Sequence, residues 1–196
     1  ISGATSTSYI SPGITSSTDF RYISTCTPSS LSDTSNVMTT TLNPTSTCYC
    51  IPAGTSPTYY IDSFATTGGS TNITNGASGL STNGYGNFTS QTVTQDLGGA
   101  VNFFGQFVTS TYGTRIWVDW NQNGILDDAG EVVYSSSSYA ANQSGSFSVP
   151  VTALPGATRM RVGISYSANT GPATPCLTNL SGEYEDYTFV VTVPSC

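Results

Sequence analysis

The sequence contains no histidine and no lysine, and its four basic residues are all arginine: Arg21, Arg115, Arg159 and Arg161. Eleven acidic residues give a net charge of −7. No basic surface is therefore available to neutralise nucleic-acid phosphates or anionic headgroups, and we expect no nucleic-acid partner. No apolar run approaches the roughly 18 residues of a membrane-spanning helix, so we also expect no membrane insertion.

The same absences exclude most catalytic machinery. Without His or Lys, the chain cannot form a Ser-His-Asp, Cys-His or Lys-nucleophile site, and the Asp-Thr-Gly and Asp-Ser-Gly motifs of aspartic proteases are missing. A glycosidase with two carboxylates is the remaining class. Glu183 and Glu185 lie on one predicted strand, however, where they are poorly placed to flank a bond from opposite sides. We therefore expect the protein not to be an enzyme.

The residues that are abundant in the sequence favour β-structure. Only 8% of residues are charged, whereas 12 Tyr, 8 Phe and 2 Trp accompany many Thr, Val and Ile, which pack well on pleated sheets. Turn signals such as Asn-Gly, Gly-Gly and Pro-Gly separate short runs, and no stretch has a helical period. We predict an all-β, sandwich-like or jelly-roll-like fold. Its predicted strands are 58–65, 90–96, 100–109, 114–120, 131–135, 145–149, 158–166 and 183–193.

Residues 1–47 differ from the rest because Ser and Thr dominate them. We predict an extended N-terminal arm or a small pair of strands, with an alternating apolar stretch at 20–23, before a sandwich domain at 48–196. The arm has too many apolar residues for a linker and too few for its own core. It packs either on a neighbouring molecule or preceding domain, or back on its own sandwich. These apolar residues are Tyr9, Ile10, Ile14, Phe20, Tyr22, Ile23, Leu31, Val37, Met38 and Leu42.

The strongest local motif is the loop 119–131. Oxygen-bearing side chains at positions 1, 3, 5 and 9 of the loop, with Gly124 at position 6, reproduce most of an EF-hand-type calcium loop. Position 12 is Gly130, so the closing acid must come from elsewhere. The alternative is a metal-free Asn/Asp/Gly-rich hairpin loop. The predicted Ca²⁺ ligands are Asp119, Asn121, Asn123, the carbonyl of Ile125, and Asp127, with Asp128 or Glu131 completing the set.

A second charged segment opens the last predicted strand, where Glu183, Glu185 and Asp186 fall within four residues. Burying these acids without partners is costly. Arg159 and Arg161 share one face of the preceding strand, and we expect them to form a cross-strand cluster with the three acids. A second calcium site and a ligand surface are the alternatives.

Several blocks of the sequence, taken in order, resemble the GEVED domain family. They are Cys48-Tyr49-Cys50, Gly84–Thr89, Thr114–Glu131, Thr158–Gly163, Pro175-Cys176 and Gly182–Tyr187. The resemblance covers about residues 48–193. It implies a β-sandwich module of large secreted or surface-anchored proteins, mostly of Bacteroidetes bacteria, often alongside adhesins or proteases. It brings no known catalytic residues. Tyr184 stands where the naming motif has Val, and Asn87 where an Asp is common.

Five cysteines match no zinc-site spacing, and in such an acidic, Ser/Thr-rich chain they indicate disulfides and an oxidising compartment. Cys50 opens the family-like region and Cys176 precedes the last strand, so we pair these two. Cys26 with Cys48 is the second predicted pair, which leaves Cys196 unpaired within the chain.

These features predict an extracellular or cell-surface protein with two candidate functions. The first is adhesion or binding of glycans or proteins, with exposed tyrosines as platforms, although each tyrosine could instead be a half-buried strand residue. The second is a polymerising subunit of a surface fibre, whose partners are copies of itself or neighbouring domains, joined through the arm. The candidate platforms are Tyr59, Tyr60, Tyr85, Tyr112, Tyr134 and Tyr139.

Overall fold

The computed structural model describes residues 17–41 and 48–194. By its internal contacts the chain divides into two compact units, Ile1–Pro44 and Thr45–Cys196. The described residues form thirteen strands, and their helical content is a single 3-10 turn at Thr82–Gly84. None of their helices is long and apolar enough to cross a membrane. The predicted all-β fold class is confirmed.

The described part of the first unit consists of two small antiparallel pairs. Strand β1 pairs with β4, and β2 pairs with β3. Most of their side chains are exposed, including Leu31 (73%) and Met38 (71%). The alternating stretch 20–23 is not one strand, because the pairing breaks after Phe20. The four strands are β1 (Thr18–Phe20), β2 (Ile23–Cys26), β3 (Leu31–Thr34) and β4 (Met38–Thr40).

The second unit contains two larger sheets. A five-stranded sheet has the order β10-β9-β12-β13-β7, and a four-stranded sheet has the order β11-β8-β5-β6. All pairings are antiparallel except that of β13 with β7. The strands are β5 (Ile61–Thr67), β6 (Thr74–Gly76), β7 (Tyr85–Asp96), β8 (Ala100–Phe107), β9 (Gly113–Val118), β10 (Val132–Ser135), β11 (Asn142–Ser148), β12 (Gly156–Ser165) and β13 (Gly182–Thr192).

The two sheets pack face to face as a sandwich, because alternate residues of their strands form one continuous core. On β12 the inward residues are Met160, Val162 and Ile164, as the sequence alternation predicts. Aromatic rings join the sheets: the Phe64 and Tyr187 centroids lie 5.3 Å apart.

A second, smaller cluster lies on the outer face of the five-stranded sheet. Its buried members include Trp117 and Tyr184, with Tyr49 and Tyr85 packed against them. Trp117 belongs to β9 and Tyr184 to β13, whereas Tyr49 lies before the first strand of the sandwich. Loops therefore cover this face, and Arg159, Arg161 and Asp186 of β12 and β13 lie beneath them.

The eight predicted strands correspond to β5 and β7 to β13, with ends displaced by up to five residues. The sequence did not predict β6. This strand has three residues, Thr-Asn-Gly, which is the composition of a turn, and it is specified by pairing with β5 at Ala65 and Ser63. Tertiary pairing overrides local preference here.

Candidate functional site

The loop 119–131 begins where β9 ends, and its first residue, Asp119, is fully buried. The Asp119 carboxylate accepts the backbone N–H groups of Gly124 at 2.9 Å and Asn123 at 3.2 Å. It also accepts the Tyr49 hydroxyl at 2.6 Å. The loop therefore curls around this carboxylate, and Gly124 takes the positive φ of 86° that the tight turn requires.

Two asparagines continue the curl. The side-chain oxygen of Asn121 accepts the Asn123 N–H at 3.0 Å, and that of Asn123 accepts the Ile125 N–H at 2.8 Å. Their amide nitrogens both donate to one oxygen of Asp128, at 2.9 and 2.7 Å. These two hydrogen bonds lower the pKa of Asp128. Asp128 thus accepts hydrogen bonds from both asparagines and links the two ends of the loop.

Glu131 lies beside this arrangement and is 2% exposed. One carboxylate oxygen accepts the backbone N–H of Trp120 at 3.1 Å, while the other, Oε2, has no hydrogen-bond partner among the described residues. Burial raises the pKa of Glu131 to about 7, and repulsion from Asp119 is the second largest cause.

The structure thus gathers Asp119, Asn121, Asn123 and Asp128, with Glu131 adjacent. Asp127, the predicted position-9 ligand, is exposed, and Ile125 contributes its N–H to the curl. In the described part of the chain, no three acidic, Cys or His side chains lie close enough to hold a metal ion by themselves.

The second charged cluster is centred on a fully buried ion pair. Arg161 of β12 lies directly opposite Asp186 of β13 and holds its carboxylate with two nitrogens, at 2.6 and 2.8 Å. The remaining guanidinium donors reach the carbonyls of Cys50 at 2.9 Å and Pro175 at 2.7 Å. One arginine therefore joins two strands to two loop segments.

Asp186 has further partners on the same face. Arg159 donates to it at 2.6 Å, and so does the Tyr85 hydroxyl at 2.8 Å. Burial and the Asp186 charge raise the pKa of Tyr85 to about 12. Arg159 also lies 4.7 Å from the centre of the Tyr49 ring, in cation–π contact. The predicted arginine cluster therefore forms around Asp186.

Glu183 and Glu185 are not part of this cluster, contrary to the predicted grouping. They alternate with Asp186 along β13, so they face the interior of the sandwich. The Glu183 carboxylate accepts the N–H groups of Ile61 and Ser81, at 2.7 and 2.8 Å. Desolvation nevertheless raises its pKa. Glu183 thus ties the start of β5 and the segment at Ser81 to the last strand.

Glu185 accepts the Tyr187 hydroxyl at 2.6 Å. The Ser78 hydroxyl approaches it but donates to the Ile61 carbonyl at 2.9 Å. The second oxygen of Glu185 is therefore without a hydrogen bond in the described structure. Burial raises the pKa of Glu185 to about 8, so at neutral pH this side chain is mostly the uncharged acid.

Cys50 and Cys176 form a disulfide, as predicted. It lies against the arginine cluster, since a guanidinium nitrogen of Arg161 is 3.2 Å from the Cys50 sulfur. The second predicted bond is not formed: Cys26 and Cys48 are exposed free thiols. Cys26 ends a strand of the first unit, and Cys48 belongs to the second. Cys196 lies outside the described residues.

The predicted tyrosine platforms are mostly structural. Tyr112 is fully buried, whereas Tyr139 is 44% exposed. The remaining four, Tyr59, Tyr60, Tyr85 and Tyr134, are partly buried. The aromatic ring that the sequence reasoning overlooked is Phe104, which is 45% exposed.

Phe104 lies on the outer face of β8. Along this strand burial alternates strictly, with Val101, Phe103 and Phe107 facing the core. The two-residue period of a strand, applied to residues 100–107, places Phe104 on the outer face of β8. It is the one large apolar residue on the outer face of this strand.

Two comparisons with known proteins bear on these residues. Residues 113–190 match the family model of the GEVED domain, a span that includes the loop 119–131 and both arginines of the cluster. The match is shorter than the resemblance over residues 48–193. No curated protein matches the chain.

Proposed function

We propose that this chain, which carries a GEVED domain over residues 113–190, is a non-enzymatic extracellular module that binds neutral glycans in surface adhesion. The observation that carries this proposal is the exposed ring of Phe104 on the outer face of β8, surrounded by uncharged neighbours. Aromatic rings bind the apolar faces of sugars, and amides and hydroxyls beside them bind the sugar hydroxyl groups.

The neighbours of Phe104 on this face follow from the strand register. Ser144 of β11 lies opposite it on one side and Ala65 of β5 on the other. Asn102 and Gln106 precede and follow it on the outer face of β8, and both are exposed. These four side chains carry no charge and are small or amide-bearing. A neutral chain of sugars suits such a face better than an ionic ligand does.

A non-enzymatic role is supported by the positions of the motif acids. Glu183, Glu185 and Asp186 are all fully buried, and each is engaged with backbone N–H groups, Tyr187 or arginines. They hold the framework together and do not line an open cleft. The Cys50–Cys176 disulfide supports an oxidising, extracellular location.

Glycan-array binding by the full chain, followed by titration calorimetry with the best neutral oligosaccharide, tests the proposal. We expect Phe104→Ala to weaken binding at least about tenfold, because the ring loses its contact with the sugar. Tyr139→Ala is the matched control, since it removes an equally exposed aromatic ring elsewhere and should leave the affinity unchanged. Undiminished binding by Phe104→Ala, or no binding by the native protein, would refute the proposal.

The second candidate function is a subunit of a surface fibre that assembles through residues 1–47. The described strands of the first unit favour it. They expose Tyr22, Ile23, Leu31, Val37 and Met38, which is a large apolar area for about two dozen residues. An unpaired strand of another copy, or a preceding domain, could cover this surface by β-augmentation.

Light scattering on the full chain and on a variant lacking residues 1–40 distinguishes the two functions. A fibre subunit should form concentration-dependent assemblies that the deletion abolishes. A full chain that is already monomeric at high concentration, and unchanged by the deletion, contradicts the fibre role and leaves the glycan-binding module.

A further inference from the structure

The loop 119–131 concentrates oxygen atoms in one place, and its own sequence contains no Lys or Arg. Glu131 accepts the backbone N–H of Trp120, the residue after Asp119, and donates its own N–H to the Asp128 carbonyl at 3.1 Å, so the three acids are neighbours. The hydrogen bonds described to these three carboxylates come from neutral donors: a tyrosine hydroxyl, asparagine amides and backbone N–H groups. Neutral donors only partly compensate three neighbouring negative charges.

An independent observation comes from Glu131. Its Oε2 atom is buried and lacks a partner, although Oε1 is held by the Trp120 N–H. The side chain lines a cleft of about 230 Å³ together with Trp120, Asn121 and Pro150. A buried carboxylate oxygen with no hydrogen-bond donor, in a loop with other acids, needs a counter-charge.

We propose that this loop binds one Ca²⁺ ion. The residues that would hold it are Asp119, Asn121, Asn123, the carbonyl of Ile125 and Asp128, with the charge of Glu131 adjacent to them. This set differs from the sequence-based one because it assigns the closing acid to Asp128, which contacts both asparagines. It leaves out Asp127, for which no contact with these side chains is described.

The chemistry of the donors selects the ion. All of them are oxygens, which suit hard cations, and the mixture of carboxylate, amide and carbonyl groups within one flexible loop is typical of Ca²⁺ and its six to eight ligands. Mg²⁺ demands a stricter octahedron and retains its water. Turning the Asn121 and Asn123 amides by 180° would direct oxygen, in place of nitrogen, toward Asp128 and the ion.

Calcium titration of the full chain, followed by calorimetry and by melting in EDTA or in CaCl₂, tests the site. We expect the melting temperature to rise with the logarithm of free Ca²⁺ and to respond weakly to Mg²⁺. Tb³⁺ should bind in the same place and emit when Trp120, the second residue of the loop, is excited.

Two isosteric variants one residue apart make the test specific. Asp128→Asn should weaken Ca²⁺ binding at least about tenfold, since even groups beyond the direct ligands change metal affinity about 10- to 100-fold. Asp127→Asn removes the same charge and should leave the affinity within about twofold, as expected of an exposed side chain. Equal losses in both variants would contradict the assignment of Asp128. No calcium response in the native protein would overturn the site altogether.

Discussion

Arg161 connects two strands of the five-stranded sheet to two loop segments. It is fully buried, and its donors reach Asp186 and the backbone at Cys50 and Pro175. Removing one partner of a buried ion pair leaves the other charge uncompensated, which costs far more than the pair itself contributes.

We expect Arg161→Met to lower the free energy of unfolding by about 3–5 kcal/mol. Arg159→Met is the matched control. It removes a second partner of Asp186 but leaves the bidentate pair with Arg161 intact, so we expect a smaller loss of about 1.5–3 kcal/mol, that of a hydrogen bond to a charged group. Urea unfolding with unchanged m-values gives both numbers, and equal losses would contradict the central role of Arg161.

Glu185 should make stability depend on pH. Its pKa is about 8 in the folded protein, against an ordinary value of 4.5, so between these values the folded state binds more protons than the unfolded state does. Stability is therefore highest below about pH 4.5 as far as this group is concerned, and it falls as pH rises to about 8, by at most roughly 1.4 kcal/mol per pH unit.

Glu185→Gln should reduce that slope, because glutamine keeps an acceptor for the Tyr187 hydroxyl and cannot ionise. Asp127→Asn, which removes an exposed carboxylate, should keep the native profile. The measurement is the unfolding free energy at several pH values between 5 and 8. An unchanged slope in Glu185→Gln would show that the buried acid does not titrate in this range.

At the scale of elements, the close packing of β13 against β12 requires glycine at position 182, the first residue of the last strand. A Cβ atom at this position would lie 2.0 Å from the Ile164 carbonyl oxygen, since β13 runs tightly against β12. We expect Gly182→Ala to cost about 1–3 kcal/mol or more through forced backbone displacement. Gly76→Ala on β6 meets no atom within 4 Å and should be nearly neutral. Thermal melting of the two variants compares them directly, and similar melting temperatures would contradict this account.

The alternation of side chains along a strand also explains which features could be predicted from the sequence and which could not. Met160, Val162 and Ile164 were correctly placed on one face because the apolar period is visible. Glu183 and Glu185 were grouped with the arginines on charge alone, although their spacing from Asp186 places them on the opposite face. Which of Asp127 and Asp128 turns toward the asparagines depends on the backbone path of the loop. A loop has no regular period, so the sequence does not show which of two neighbouring acids points inward.

For the molecule as a whole, the Cys50–Cys176 disulfide closes a loop with a sequence separation of 126 residues. In the chain-entropy description a loop of this length stabilises the folded state by roughly 4–5 kcal/mol. We expect Cys50→Ser/Cys176→Ser to lose stability of that order, with Cys48→Ser as a control that removes an exposed thiol. Chemical unfolding under non-reducing conditions is the measurement. A double variant as stable as the control would contradict a structural role for the bond.

The parallel pairing of β13 with β7 also sets the order in which the protein can fold. Thr188 and Thr89, hydrogen-bonded across this pairing, are 99 residues apart in sequence, and β13 lies between β12 and the edge strand β7. A chain still emerging from a ribosome or a secretion channel lacks that strand until residues 182–192 have appeared. The five-stranded sheet must therefore wait for β13 before it is complete, and with so many distant contacts its folding should be slow.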